Sequence, residues 1–313
     1  MNGRSGVIVV GSVHTDLIAT ADAMPTPGSS VLGTRFTLAP GGKAGNQAAQ
    51  LARLGVPTVL ISRIGTDSLG DVIAAQLAGT GIDLTYLARS TLDPTGASTV
   101  FAVSGEYASI IVPGAAAGLT DADLDAAESA FRASRFALAQ LELGPDLAHA
   151  ALSRARTSGS TTVLNASPIH GADPDVLAQV LDVTDVLVVN RHEAAILFHA
   201  PMTDRQAIAA AASMLNDRFD LKATIITCGS EGAVLVRGDA VIELPAWPID
   251  VVDTVGAGDA FLGGLVAAWY GGSDDRAALR FAAAAGALAA SGSGAFTSLP
   301  NRPAVEAFLQ SCG

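Results

Sequence analysis

The first apolar run of the chain, Val7–Val10, is continuous and closed by Gly11, the pattern of a strand buried on both faces of a parallel sheet. Its carboxyl end delivers Ser12, His14 and Asp16 to the edge of that sheet. Over 15–38 the segments are short and interrupted by Pro25, Pro27 and Gly28. β-rich patches return at 97–103 and 108–112, with Ser104-Gly105-Glu106 as a hairpin turn between them. These segments break any β-α alternation and predict a small accessory sheet. After Val112 the alternation is regular: helix 121–134, strand 136–141, helix 145–158, strand 162–165, helix 175–183, strand 186–190. A strand over 223–227, a Gly229-Ser230-Glu231-Gly232 turn and a strand over 232–236 follow. A long helix begins near Gly258, and the last helix runs over 274–290. Repeated βαβ units of this kind predict a three-layer α/β/α domain around a central, mostly parallel sheet. Residues 1–313 form one domain, with a β lid built from segments near 15–38 and 97–112.

Composition narrows the class. Half the residues are hydrophobic (50%) and only 15% are charged, which suits a sheet covered on both faces and excludes a disordered chain. The formal net charge of −12 sets the overall field against nucleic acid. No apolar run has the roughly 18 residues of a membrane span, and the start MNGRSGVIVVGS lacks a signal-peptide core. A cytoplasmic protein is expected. Cys228 and Cys312 have no metal-ligand spacing, and Cys228 reads as a small buried residue beside a turn glycine. His14, His149, His170, His192 and His199 form no paired-ligand motif, so a protein-bound transition metal is not expected.

Four segments carry candidate chemistry. In Asp253-Thr254-Val255-Gly256-Ala257-Gly258-Asp259, small residues lead into a helix whose first turn carries an acid. Gly256 and Gly258 allow consecutive N–H groups to point at one spot, reinforced by the positive end of the helix, and that spot suits a phosphate. Asp259 then lies within reach of a hydroxyl aligned with it; the plain alternative is a helix-capping acid. Gly41-Gly42-Lys43-Ala44-Gly45-Asn46 permits close backbone approach to a polyhydroxy ligand, with Asn46 as donor and acceptor, or is simply a turn opening a helix. It is no Walker A loop, because Ala44 follows Lys43, and no GxGxxG follows the first strand, which argues against a dinucleotide-binding oxidoreductase. Asn190-Arg191-His192-Glu193 closes an apolar strand. Its Asn and Glu can fix water ligands of a Mg²⁺ that carries nucleotide phosphates, or form a helix cap. Thr227-Cys228-Gly229-Ser230-Glu231-Gly232 is a tight turn whose amides can flank a nucleotide.

In this order the four segments resemble the PfkB or ribokinase-like family of carbohydrate kinases, and the likeness spans essentially the whole chain. Gly41 to Asn46 resembles the family's N-terminal signature, and Asp253 to Asp259 its C-terminal DTxGAGD signature. Met24-Pro25-Thr26-Pro27-Gly28, Gln140-Leu141-Glu142 and Pro113-Gly114-Ala115-Ala116-Ala117 are similar to the members that act on ribose. The resemblance implies the ribokinase-like fold and transfer of the γ-phosphate of ATP to a primary hydroxyl of a small sugar, D-ribose first, with Asp259 as general base. By it, Ser12, His14, Asp16, Gly42, Lys43, Asn46 and Glu142 fall on the sugar, and Asn190, Thr227, Gly229, Ser230, Gly232, Gly256, Ala257 and Gly258 on ATP. It places Mg²⁺, through water, at Asn190 and Glu193. It places a monovalent cation, K⁺, at Asp253, Val255, Ala289, Gly292, Gly294 and Ser298, and implies a homodimer through the β lid. Two positions depart from the pattern: His14 stands where Asn is usual, and Ala283 where Asn or His lies against adenine. The competing acceptors are a nucleoside, fructose or a keto-deoxy sugar acid. A nucleoside asks for aromatic stacking, which the small and aliphatic lid segments do not offer. A non-catalytic sugar-binding protein of the same fold has no reason to keep both Asp259 and Gly256-Ala257-Gly258.

Overall fold

Continuous apolar runs become strands in this chain because helices cover both sides of the sheet. The computed structural model describes residues 3–103, 106–169 and 171–312; Ser104 and Gly105 of the expected hairpin turn, and His170, lie outside them. In chain order the elements are β1 (Val7–Val10), β2 (His14–Ala21), β3 (Gly33–Gly41), α1 (Lys43–Arg53), β4 (Thr58–Gly65), α2 (Ser68–Ala78), β5 (Leu87–Ser90), β6 (Thr95–Val103), β7 (Glu106–Gly114), α3 (Asp121–Ala126), α4 (Glu128–Ala133) and β8 (Phe136–Gln140). They continue with α5 (Pro145–Thr157), β9 (Thr161–Asn165), α6 (Pro174–Asp182), β10 (Val186–Asn190), α7 (Arg191–Phe198), α8 (Arg205–Phe219), β11 (Ala223–Thr227), β12 (Ala233–Arg237), β13 (Ala240–Leu244), α9 (Ala257–Tyr270), α10 (Asp275–Ala290) and α11 (Arg302–Ser311).

A nine-stranded sheet runs in the order β13-β12-β11-β10-β9-β8-β1-β4-β5, parallel except for β12 and β13. Alternate residues of each strand enter opposite cores. Val7 and Val9 pack with α1, α2, α9, α10 and α11, whereas Ile8 and Val10 pack with α3, α4 and α5 on the other face. A second, four-stranded sheet runs β3-β2-β6-β7, so the segments expected to stand apart from the βαβ repeat do so. It is tied to the main body by Asp67, the N-cap of α2, whose carboxylate accepts from the Thr95 amide (2.7 Å), the Thr95 hydroxyl (2.8 Å) and the Gly70 amide (2.9 Å). Partial burial pushes this carboxyl up, but those bonds outweigh it and hold the group below the usual range.

Two expected elements differ. The helix expected over 121–134 is two, because Ala127 (φ −94, ψ 11) is the C-cap of α3 and the N-cap of α4. Leu124 of α3 and Phe131 of α4 still enter the same core. Nor is the helix over 274–290 the last: α11 follows, with Asn301 capping the Ala304 amide and a proline in its first turn.

The layer formed by α1, α9 and α10 is unusually close. A Cβ on Gly263 would meet Gln50 Cγ at 2.5 Å in α1, and one on Gly264 would meet Ala282 Cα at 3.1 Å in α10. Gly263→Ala adds helix propensity worth about 1 kcal/mol at an open site, yet here it overpacks the α1 crossing. We expect a net loss of about 1–3 kcal/mol in urea unfolding; a variant more stable than the parent would mean that α1 and α9 are not in contact at this point.

Candidate active site

The parallel strands end on one side of the sheet, and there a cavity of about 460 Å³ opens under the small sheet. Asp259 sits at its floor in the first turn of α9 and is 6% exposed. Its Oδ1 accepts from Gln47 Nε2 at 2.9 Å and its Oδ2 from Asn46 Nδ2 at 3.1 Å, both donors lying on α1. Gln47 is wholly buried and also donates to Asn165 Oδ1 (3.1 Å) and accepts from Gln140 Nε2 (2.7 Å). Burial pushes the Asp259 carboxyl above the ordinary carboxylate value of 3.8. The positive charge of Lys43 and the bonds from Gln47 and Asn46 oppose the rise, and the charge of Glu142 adds to it.

The N-terminus of α1 has no acid of its own in the first turn. Glu142, just beyond β8, supplies one: its Oε2 accepts the Lys43 amide at 2.8 Å and the Ser12 hydroxyl. Gly42 (φ 88) lets the chain enter α1 here, since a Cβ would come within 2.5 Å of the Ser12 carbonyl oxygen. On β2, His14 and Asp16 share one face. His14 Nε2 lies 3.2 Å from Asp16 Oδ1, and the Asp16 carboxylate rests against Gly41. Ser98, Val100, Ser109 and Ile111 of the small sheet close the cavity from above.

Across the cavity, Asn190 and Glu193 form a capping box on α7: Asn190 Oδ1 accepts the Glu193 amide and Glu193 Oε2 accepts the Asn190 amide, each at 2.8 Å. Both still border the cavity, and the cap leaves Glu193 Oε1 unused. In the turn before α9, Gly256 (φ 81) presses on Ala295, so that a Cβ would meet Ala295 Cα at 2.7 Å, whereas a Cβ on Gly258 would meet nothing. The Ala257 amide is taken by the Thr254 carbonyl at 3.2 Å. Behind this turn Asp253 joins two stretches of chain, its Oδ1 accepting from Val255 N and its Oδ2 from Gly294 N, each at 3.0 Å. The buried Ser298 hydroxyl has no hydrogen-bond partner. The Asp253 carboxylate, bonded to Gly294 N, and the orphaned hydroxyl of Ser298, whose amide donates to the Gly294 carbonyl, are oxygen groups of the kind a monovalent cation takes.

Of the residues singled out by sequence, His14, Asp16, Lys43, Asn46, Glu142, Asn190, Glu193, Thr227, Val255, Gly256, Gly258 and Asp259 border this cavity. Ser12, Gly42, Gly229, Ser230, Gly232, Ala257, Asp253, Ala289, Gly292, Gly294 and Ser298 do not line it; they support or extend the segments that do. Ala283 packs against the helix core and does not line the cavity. Sequence reasoning missed Gln47, Asn165 and Ser98. The available signal was the row of amide side chains at 46, 47 and 50 in a helix that is otherwise fit for burial.

The chain matches the family model described as pfkB family carbohydrate kinase over residues 4–302. It is 32% identical to a ribokinase of Bacillus subtilis over 97% of this chain and 99% of that one. It is 29% identical to a deoxyribokinase of Salmonella typhi over 94% and 95%. Arabidopsis thaliana ribokinase, in a structure complexed with ribose and ATP, superposes with a TM-score of 0.86 at 29% identity, covering 98% of this chain and 99% of that one.

The charges around Asp259 set the direction of its titration. Lys43→Met removes a cation and should move the carboxyl further up; Glu142→Gln removes an anion and should bring it down. A ¹³C carboxylate titration that found the two variants moving the same way would contradict this placement of charges. Since the folded carboxyl titrates above its unfolded value, stability tied to its neutral form is present below 3.8 and lost as pH rises through the folded value. The melting temperature of Asp259→Asn relative to the parent should therefore climb through that window and then level off.

Proposed function

The chain belongs to the pfkB family of carbohydrate kinases, and from that premise we propose that it transfers the γ-phosphoryl group of ATP to the primary hydroxyl of a pentose, ribose first, with Asp259 as the base. The observation that carries this reading is the place of the Asp259 carboxylate. It is buried at the positive end of α9 and borders one cavity together with two sets of groups. His14, Asp16, Lys43, Asn46 and Glu142 offer a polyol a dense set of donors and acceptors on one side. Asn190, Glu193, Thr227 and the Gly256 turn stand on the other, where the nucleotide fits.

In this arrangement the acceptor hydroxyl gives its proton to Asp259 as its oxygen bonds to the γ-phosphorus. The bond from that phosphorus to the β–γ bridging oxygen breaks, and ADP leaves. A carboxyl raised by burial accepts that proton nearer neutral pH than an ordinary aspartate does. The Gly256 and Gly258 amides, at the positive end of the helix, face the charge that spreads over the transferring group. Asn190 and the Glu193 oxygen left over by the cap would reach the water shell of a Mg²⁺ carried by ATP, which would supply screening of the phosphate charge. Asp253, Val255, Ala289, Gly292, Gly294 and Ser298 would hold a K⁺, whose charge would steady the Gly256 turn.

A compact acceptor is favoured because no Phe, Tyr or Trp lines the cavity among the described residues, which leaves a nucleoside base nothing to stack on. The small sheet serves as the lid that excludes water. Its outer face shows Phe36, Ile110 and Val112 at 64%, 68% and 57% exposure, which suits a second copy of the chain, and sedimentation equilibrium would measure that homodimer. The similarity to a deoxyribokinase adds 2-deoxyribose as a second acceptor.

Asp259→Asn should lower kcat by roughly 10²–10⁴-fold with modest changes in both KM values; parental turnover in that variant would rule Asp259 out as the base. With ATP, Mg²⁺ and a panel of ribose, 2-deoxyribose, fructose, a keto-deoxy sugar acid and nucleosides, phosphorylated product should form fastest from ribose, and faster in potassium than in sodium. Product from nucleosides alone would move the acceptor, and no product from any of them would favour a non-catalytic sugar-binding protein.

A further inference from the structure

Three of the described helices, α7, α8 and α11, open on an arginine, and two of these arginines bear on one turn. Arg191 is the first residue of α7 and Arg205 the first of α8, so each places a cation at the positive end of a helix dipole. Both reach to the same residue. Glu231, in the short turn between β11 and β12, receives Arg191 through two parallel bonds, Nη1 to Oε1 at 2.6 Å and Nη2 to Oε2 at 2.7 Å, and its carbonyl oxygen accepts from Arg205 Nη2. The fork-to-fork pairing holds Arg191 strongly protonated.

The residues joined in this way flank the cavity without lining it. Arg191 directly follows Asn190 and precedes Glu193, and Glu231 directly follows Gly229 and Ser230. The turn that carries Glu231 closes through Cys228 N to Gly232 O (2.7 Å), Glu231 N to Cys228 O (3.1 Å) and Gly232 N to Gly229 O (3.0 Å). The Gly229 and Ser230 amides take no part in those bonds, so their direction depends on how the turn is held. Gly232 (φ 98) allows one such fold of the turn, because a Cβ would fall 2.0 Å from the Leu244 carbonyl oxygen.

We propose that the Arg191–Glu231 pair is a positioning strap of the nucleotide subsite. It locks the α7 cap to the 229–232 turn, so that the two walls between which a nucleoside triphosphate lies keep a fixed spacing. The inference rests on the kinase reading given above and on the nucleotide lying between Asn190 and Thr227. Neither strap residue touches the nucleotide. Their effect is on the geometry of groups that do.

The test is a double-mutant cycle on the full-length protein, read as KM for MgATP, KM for the acceptor and kcat. Arg191→Met and Glu231→Ala should each raise KM for MgATP roughly three- to five-fold, the size expected for a well-formed surface ion pair, with a smaller change in kcat and none in the acceptor KM. The double variant should be no worse than either single one, and the reciprocal exchange Arg191→Glu with Glu231→Arg should recover most of the loss. If Arg191→Met weakens MgATP and Glu231→Ala does not, Arg191 contacts the nucleotide itself and the strap is refuted. Thr227→Ile separates this from the parent reading. A raised MgATP KM there, with both strap variants at the parental value, removes the strap alone; parental values in all three remove the nucleotide assignment as well.

Discussion

The site depends on one buried carboxylate held between two helices. Asp259 can stay at the floor of the cavity only because α1 brings two amide donors to it, and α1 can come so close only because α9 carries glycine at the crossing. The position of α1 is in turn set by groups just beyond the ends of two neighbouring strands, β1 and β8. The Ser12 carbonyl accepts from the Gly45 amide, and the Glu142 carboxylate takes the Lys43 amide at the helix start. A shift of an ångström anywhere in this chain of contacts would leave a buried charge short of a partner, and that penalty keeps the arrangement rigid before any ligand arrives.

The same side chains complete the secondary structure and face the ligand space. Asn190 and Glu193 satisfy the first turn of α7 through their reciprocal cap and still border the cavity. Glu142 caps α1 across a gap in sequence of nearly a hundred residues while lining the cavity. Bonds that fold the chain and bonds that prepare the site are thus largely the same bonds. The capping reading and the ligand reading of each motif were never exclusive.

Much of this was legible in the sequence, for identifiable reasons. The continuous runs at 7–10, 136–141 and 186–190 announced strands covered on both faces, and the break in alternation at 15–38 and 97–112 announced the second sheet. Asp259, Asn46 and Glu193 were visible because glycine-rich or strand-end contexts exposed them. Gln47 was not, since its partners Asn165, Gln140 and Asp259 come from three other segments and no local pattern encodes their meeting. The division of the 121–134 helix at Ala127 was equally hidden: alanine is the best helix former, and nothing local marks a break there. The strand Ala240–Leu244 has five residues and takes its place by pairing with β12, whereas the helix Arg302–Ser311 carries its own start signal in Asn301 and Pro303.

The two sheets also differ in what their assembly demands of the chain. The small sheet is drawn from two distant stretches, and its central parallel pairing sets Asp16 beside Ser98, residues roughly eighty positions apart. Closing so large a loop from an open chain is entropically costly. Once β1 and β4 have paired, however, His14 and Thr95 both emerge from elements already docked, and Asp67 fixes the start of β6. Pairing the roof of the cavity therefore costs least on a floor that is already complete. By the same reasoning, opening of the four-stranded sheet as a separate unit would leave the Asp259 helix and the nine-stranded sheet closed.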